Sequence, residues 1–347
     1  MTRFAWMQAR SQVAVAAGAL VIAAVILVIT GLHLSHLYDT TVATCQSHAD
    51  CPTVTSSFLQ TDHTLATWLD VLVVAVPGIM GIFWGAPLVA RELETGSFRL
   101  AWTQSVTRRR WLAVKLAVAG LAAVAVAGLL SLMVTWWSSP LDRVNMYAFG
   151  SFDERDIVPL GYAAFAFVLG VTAGVLIRRT LPAMATTLVV FVAVRLAAKQ
   201  WIRPNFMSPK VLNGVLNAGS MGFGSTNGGP FVLEPQPSNI PGAWILSTQI
   251  VDKAGHGLTA QHLKTACPQL LAGTPGGGGG NAVPVPAGAQ RVLQDCVVKL
   301  SAQFHQLTSY QPASRYWTFQ ADELAVYLAA ALVLAGVCFW WVRRRLA

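Results

Sequence analysis

Charge is scarce in this chain. Only 11% of its 347 residues are Asp, Glu, Lys or Arg, against 54% hydrophobic, a balance that excludes an ordinary soluble domain. Acids are the scarcer sign, 15 against 24 basic residues. The chain also has no Gly-x-x-x-x-Gly-Lys-(Ser/Thr) string, the loop whose backbone cradles phosphates and whose lysine neutralises them. Its longest glycine run, Gly276 to Gly280, ends instead in Asn281-Ala282. Any nucleotide hydrolysis is therefore expected on another chain. There is no Cys-x-x-Cys, no His-Glu-x-x-His and no Gly-x-Ser-x-Gly elbow, so the spacings of metal and nucleophile chemistry are missing and no catalytic residue is expected. His33 and His36 could meet His48 or His63 on a metal ion, but polar residues at a membrane edge account for them as well, and no metal is expected.

Apolar length, by contrast, is abundant. A bilayer core takes about 20 apolar residues in a helix, and six runs reach that length: 13–34, 65–89, 111–137, 159–177, 181–201 and 321–342. The first is too long for the core of a cleaved signal, and Leu34-Ser35-His36 is no small-residue cleavage site. The fold class expected is an all-α polytopic membrane protein with six transmembrane helices. Residues 1–12, with Arg3, Arg10 and Trp6, read as an interfacial helix leading into the first span.

Charge sets the orientation. With the amino terminus inside, the pieces 1–12, 90–115, 178–180 and 343–347 carry 13 basic residues and two acids, Glu92 and Glu94. The other 11 basic residues share the outward pieces with 13 acids. Clusters at 108–110, 178–179 and 343–345 obey the positive-inside rule, placing both termini in the cytoplasm. The basic residues are spread over four membrane edges, so no nucleic-acid patch forms.

Cysteine usage agrees with that orientation. Cys45 and Cys51 share the outer loop 35–64, while Cys267 and Cys296 share the long stretch 202–320. Disulfides Cys45–Cys51 and Cys267–Cys296 are expected outside, with free thiols or another pairing as the alternative. The remaining outer loop is 138–158. The extracytoplasmic domain 202–320 is loop-rich, with a helix expected over 289–307 and an aromatic collar at Tyr310, Tyr316, Trp317 and Phe319 before the last span.

Within the spans, Pro77-Gly78 and Gly85-Ala86-Pro87 mark bends that serve as hinges or as fixed kinks. Arg195 is the one basic residue well inside a span. It is either a functional intramembrane charge or a residue near the outer end that snorkels with Lys199 and Arg203, and either way Asp322 or Glu323 is available as the partner of an ion pair.

The polar bridge 90–110 is the most informative stretch. Phe98, Ala101, Trp102 and Val106 fall on one helical stripe, Gly96-Ser97 reads as a helix start and Thr107 as an N-cap. An amphipathic helix lying on the cytoplasmic surface is expected here. Glu92 and Glu94 are either ordinary partners of a helix dipole or contacts for something in the cytoplasm, the reading favoured because every other acid faces outward.

Glu94-Thr95-Gly96-Ser97, the apolar stripe to Gln104, Ser105-Val106-Thr107-Arg108 and Lys115 together resemble the coupling-helix region of bacterial ABC exporter permeases of the type V (ABC-two) fold. Tyr310 to Gln320, YQPASRYWTFQ, resembles an actinobacterial subset of them. The resemblance implies a passive permease in the bacterial plasma membrane that exports a drug, antibiotic, peptide or lipid. It further implies a second permease subunit, identical or related, two cytoplasmic ATPase subunits carrying ATP and Mg, and no cofactor on this chain. ATPase coupling would run through Glu92, Glu94, Gly96, Phe98, Trp102 and Gln104. The rival expectation is a membrane sensor with an extracytoplasmic ligand-binding domain. A secondary transporter lacks its paired broken spans and midplane carboxylates here.

Overall fold

A computed structural model describes residues 2–45, 51–61, 63–96, 107–145, 149–217, 221–225, 231–236, 240–266 and 287–345. These divide into two compact units, residues 1–206 with 315–347, and residues 207–314.

Among the described residues of the first unit, six helical stretches are long and apolar enough to cross a membrane: Ala14–Val42, His63–Thr95, Arg109–Val144, Val158–Ile177, Thr180–Asn205 and Ala313–Arg344. The first helix is unbroken from Thr2 to Leu37, so nothing separates the residues expected to lie on the surface from the span they precede. The third helix runs on to Asn145, shortening the loop expected over 138–158. A short helix, Cys51–Thr61, fills the loop between the first two spans, and a disulfide joins Cys45 to Cys51 at its start. Arg178, in the left-handed conformation at φ 60, turns the fourth span back into the fifth.

The fourth span is the axis of this unit, with fifteen of its twenty residues buried. Small residues explain why. Pro77 removes a backbone donor from the second span, and the ladder beyond it widens into a π-turn at Gly81–Gly85. That turn lies backbone to backbone against Phe167 and Gly170 of the fourth span, and Gly174 lies in the same way against Ala86 just beyond it. A Cβ on Gly85 would sit 2.5 Å from the Phe167 carbonyl oxygen, and one on Gly174 would sit 2.6 Å from that of Ala86. Glycines four apart on both helices are the small-residue packing that apolar surroundings favour, because close approach replaces the missing hydrophobic drive.

The second unit corrects the all-α expectation. Residues 207–314 carry β1 (Lys210–Gly214), β2 (Met221–Ser225), β3 (Phe231–Pro235), β4 (Trp244–Asp252) and β5 (Phe304–Gln311). They form a three-stranded antiparallel sheet in the order β1-β5-β4 and a separate β2-β3 pair. The helix expected over 289–307 spans Ala287–Ser301 instead, and Leu307 lies on β5. Along β5 buried and half-buried positions mostly alternate, the two-residue period of a strand. Cys296, Val297 and Leu300 of the helix pack on Leu216, Ile250 and Phe304, closing a small core. Cys296 is disulfide-bonded; Cys267, its expected partner, lies outside the described residues.

The expected aromatic collar is rearranged. Tyr310 sits on β5. Tyr316 and Phe319, at the head of the sixth span, are buried among Phe149 and Phe152, with ring centroids 5.5 to 5.9 Å apart. Trp317 alone of that trio is exposed.

Candidate functional site

Two groups of polar side chains lie at opposite ends of the spans. The first surrounds the bridge between the second and third spans. Helix Ala86–Thr95 ends at Gly96, whose φ of 73 is left-handed, the usual stop for a helix because glycine has no Cβ to strain. Glu92 and Glu94 therefore lie in the closing turn of the second span, and the helix expected to start at Gly96-Ser97 would run over residues outside the described ones. Thr107 caps the third span, its hydroxyl accepting from the Arg110 amide at 3.4 Å. Phe98, Trp102 and Gln104, together with the helix expected to carry them, lie outside the described residues.

Both acids are engaged within the chain. Glu92 forms an ion pair with buried Lys115 of the third span. Lys115 also donates to the Leu88 carbonyl at 3.2 Å and stands 4.8 Å above the Trp111 ring. Glu94 accepts at one oxygen from the Thr180 hydroxyl at 2.7 Å and the Thr180 amide at 3.1 Å. It therefore caps the fifth span, satisfying a donor that a helix leaves orphaned at its first turn. One turn of the second span thus grips both the third span and the fifth.

The second group joins Asp153 from the loop before the fourth span, Tyr162 from that span, Arg195, Lys199 and Arg203 from the fifth, and Glu323 from the sixth. Arg203 binds the Glu323 carboxylate through two nitrogens, at 2.7 and 2.9 Å, and also pairs with Asp153. Tyr162 donates to Glu323 at 2.5 Å, with Asp153 as an alternative acceptor at 3.0 Å. Arg195 lies 3.5 Å over the Tyr162 ring, 3.4 Å from Asp153 and 3.8 Å from Glu323. Among the described residues its ion pairs go to those two acids and none to Asp322. Burial opposes ionisation of Asp153, but Arg203, Arg195 and Lys199 outweigh it and hold that carboxyl at about 2. Sequence reasoning missed Asp153, Tyr162 and the pairing of Arg203. A signal was present: Arg195, Lys199 and Arg203 recur every four residues, one stripe of a helix that needs acids opposite it.

Beside this cluster, Glu154 behaves oppositely. Burial raises its carboxyl to about 9, helped by a hydrogen bond with Asp70 and by the charges of Asp70 and Asp153, while Arg155 pulls the other way. Arg155 is itself committed to Asp142 at 2.5 Å and the Ser138 hydroxyl at 2.8 Å.

Between the first, second and third spans lies an apolar cavity of about 540 Å³, lined by residues including Leu20, Ala23, Val76, Met80, Phe83 and Leu130. The π-turn thus presents glycines to the fourth span and Phe83 to the cavity. Among the described residues, no three His, Cys, Asp or Glu side chains are grouped to hold a metal.

A family model described as ABC-2 membrane transporter related matches residues 17–203 of the chain. No curated protein and no solved structure matches it.

Proposed function

This chain belongs to the ABC-2 membrane transporter related family, and on that premise we propose that it is the permease subunit of an ATP-driven exporter, worked from the cytoplasm through residues 92–104. The observation that carries this reading is the joint at Glu92 and Glu94. The residues flanking the bridge are tied by an ion pair to the third span and by a double hydrogen bond to the fifth. A push on the bridge is therefore delivered to three spans at once.

In this reading the cytoplasmic side is the side of the bridge, as the basic clusters require. Two ATPase subunits, carrying ATP and Mg, close on one another beneath a pair of permeases and press on that bridge. Because Glu92 and Glu94 already have partners in their own chain, Phe98, Trp102 and Gln104 supply the contact surface, while the acids stiffen its base. The cargo is lipid-soluble, a drug, antibiotic, peptide or lipid. The cavity supports this: its walls are apolar, and a water there would lack the two to four polar partners it needs.

Co-purification tests the proposal. An ATPase carrying the phosphate-binding loop should accompany the chain from detergent-solubilised membranes, and the reconstituted pair should export in a vanadate-sensitive way. Phe98→Asp with Trp102→Asp should abolish both. Unchanged complex formation and unchanged vanadate-sensitive export in that variant would overturn the coupling role. A bound kinase in place of the ATPase would favour a sensor.

A further inference from the structure

The fifth span is held at both ends by polar contacts and packs between them through one narrow apolar face. At its start, Glu94 takes both the amide and the hydroxyl of Thr180. Towards its other end, Arg195 and Arg203 lock onto Asp153 and Glu323. At about 1.5 Å per residue, Arg203 lies roughly 35 Å along the helix from Thr180.

Between these grips the buried face is a single seam, Ala183, Thr187 and Phe191, four residues apart. Ala183 packs on Ala86 and Ala90 of the second span and Ala173 of the fourth. Phe191 lies against Phe165, their ring centroids 6.4 Å apart, and against Gly78. The opposite face is apolar and exposed at Leu181, Leu188, Val189, Val192 and Leu196. Two of the three seam residues, Ala183 and Thr187, are small, so apart from Phe191 few interlocking side chains resist axial displacement of the helix.

We propose that the fifth span is the rod that carries displacement of the coupling bridge to the charged cluster, with Glu94 and Thr180 as the positioning residues that attach it. This rests on the permease reading above. When the bridge is pushed, Glu94 draws Thr180 with it, and the rod moves Arg195 and Arg203 against Asp153 and Glu323. Those pairs are buried, so they stay made or are exchanged for others; they do not loosen gradually, because an unpaired buried charge is strongly disfavoured. The cluster therefore switches between discrete arrangements, as packed interfaces do. Opening at that end is thereby tied to events at the bridge.

Hydrogen exchange on the intact permease–ATPase complex in lipid nanodiscs tests the rod. Trapping with ATP and vanadate should change exchange of the amides at 151–157 and 198–205 by about fivefold or more relative to the nucleotide-free complex. Thr180→Val, which deletes the hydroxyl and keeps the amide, should remove most of that response and lower export to the same degree. ATP hydrolysis should stay within about twofold of the wild type, since free energy released at the ATPase is then lost at the joint. Thr180→Ser should restore the response, which a generally destabilised helix would not do. Glu94→Gln should give an intermediate response. A full far-end response in both Thr180→Val and Glu94→Gln would overturn the rod. Wild-type export with no exchange change at 198–205 would overturn the rod and leave the permease reading standing. Absence of any ATP-dependent export would remove both.

Discussion

Gly170→Ala adds a single methyl group where the structure has no room for one. Its Cβ would lie far inside van der Waals contact with the Gly81 carbonyl oxygen and 2.8 Å from the Ala86 nitrogen. Both obstacles are backbone atoms, so no rotamer change relieves them, and the second and fourth spans must separate along the Gly81–Gly174 seam. Overpacking of this kind costs about 1–3 kcal/mol, and alanine recovers up to about 1 kcal/mol of helix propensity. With immovable neighbours the overpacking falls at the upper end, leaving a net loss of roughly 2 kcal/mol. Gly336→Ala is the internal control: it too lies within a spanning helix, but nothing stands within 4 Å of the added methyl. The two variants, purified in one detergent and unfolded thermally side by side, should move apart, Gly170→Ala melting several degrees below wild type and Gly336→Ala at or slightly above it. Gly174→Ala, with its methyl 2.6 Å from the Ala86 oxygen, should follow Gly170→Ala. Equal melting temperatures for Gly170→Ala and Gly336→Ala would refute the backbone seam.

The charged cluster and the carboxyl beside it make two further predictions. Removing one partner of a buried ion pair costs about 3–5 kcal/mol, much of it the stranding of the other charge. Glu323→Ala and Arg203→Ala should therefore each destabilise strongly, while the double variant costs well below their sum in a thermal double-mutant cycle. The second prediction concerns pH. Glu154 holds its proton up to about 9 in the folded chain, against 4.5 unfolded. The folded state thus binds the extra proton between those values, so the contribution of Glu154 to stability is greatest below 4.5 and declines as pH rises towards 9. Glu154→Gln should flatten that decline in melting temperature measured from pH 5 to pH 9; an unaltered slope would mean that Glu154 ionises normally. Asp153, held at about 2, acts in the opposite sense, contributing above its ordinary value and losing that contribution only as pH falls through about 2.

Some of this architecture was legible from residue order alone. The six spanning segments follow from bilayer thickness and helical rise, constraints that act on consecutive residues, and the structure has six candidates at nearly the same places. Thr107 as an N-cap and Arg178-Arg179 as the turn between the fourth and fifth spans are equally local, set by one hydroxyl and by two charges beside apolar runs. Gly96 was visible as a break, but its direction was not, because glycine can precede a helix as well as end one. Its left-handed φ shows that it ends the helix before it.

Tertiary structure alone decided what the polar residues do. Glu94 meets Thr180 across 86 residues, and Arg203 meets Glu323 across 120; no periodicity within a segment specifies such pairs. The sheet in 207–314 was hidden for a related reason. β5 pairs with β1 nearly a hundred residues earlier, and a strand's stability lies in its partners, whereas a spanning helix satisfies its own backbone in sequence. Composition therefore marked this chain as a multi-pass membrane protein with six candidate spans. Which spans are bolted together, and at which end, depended on side chains brought into contact only by the folded bundle.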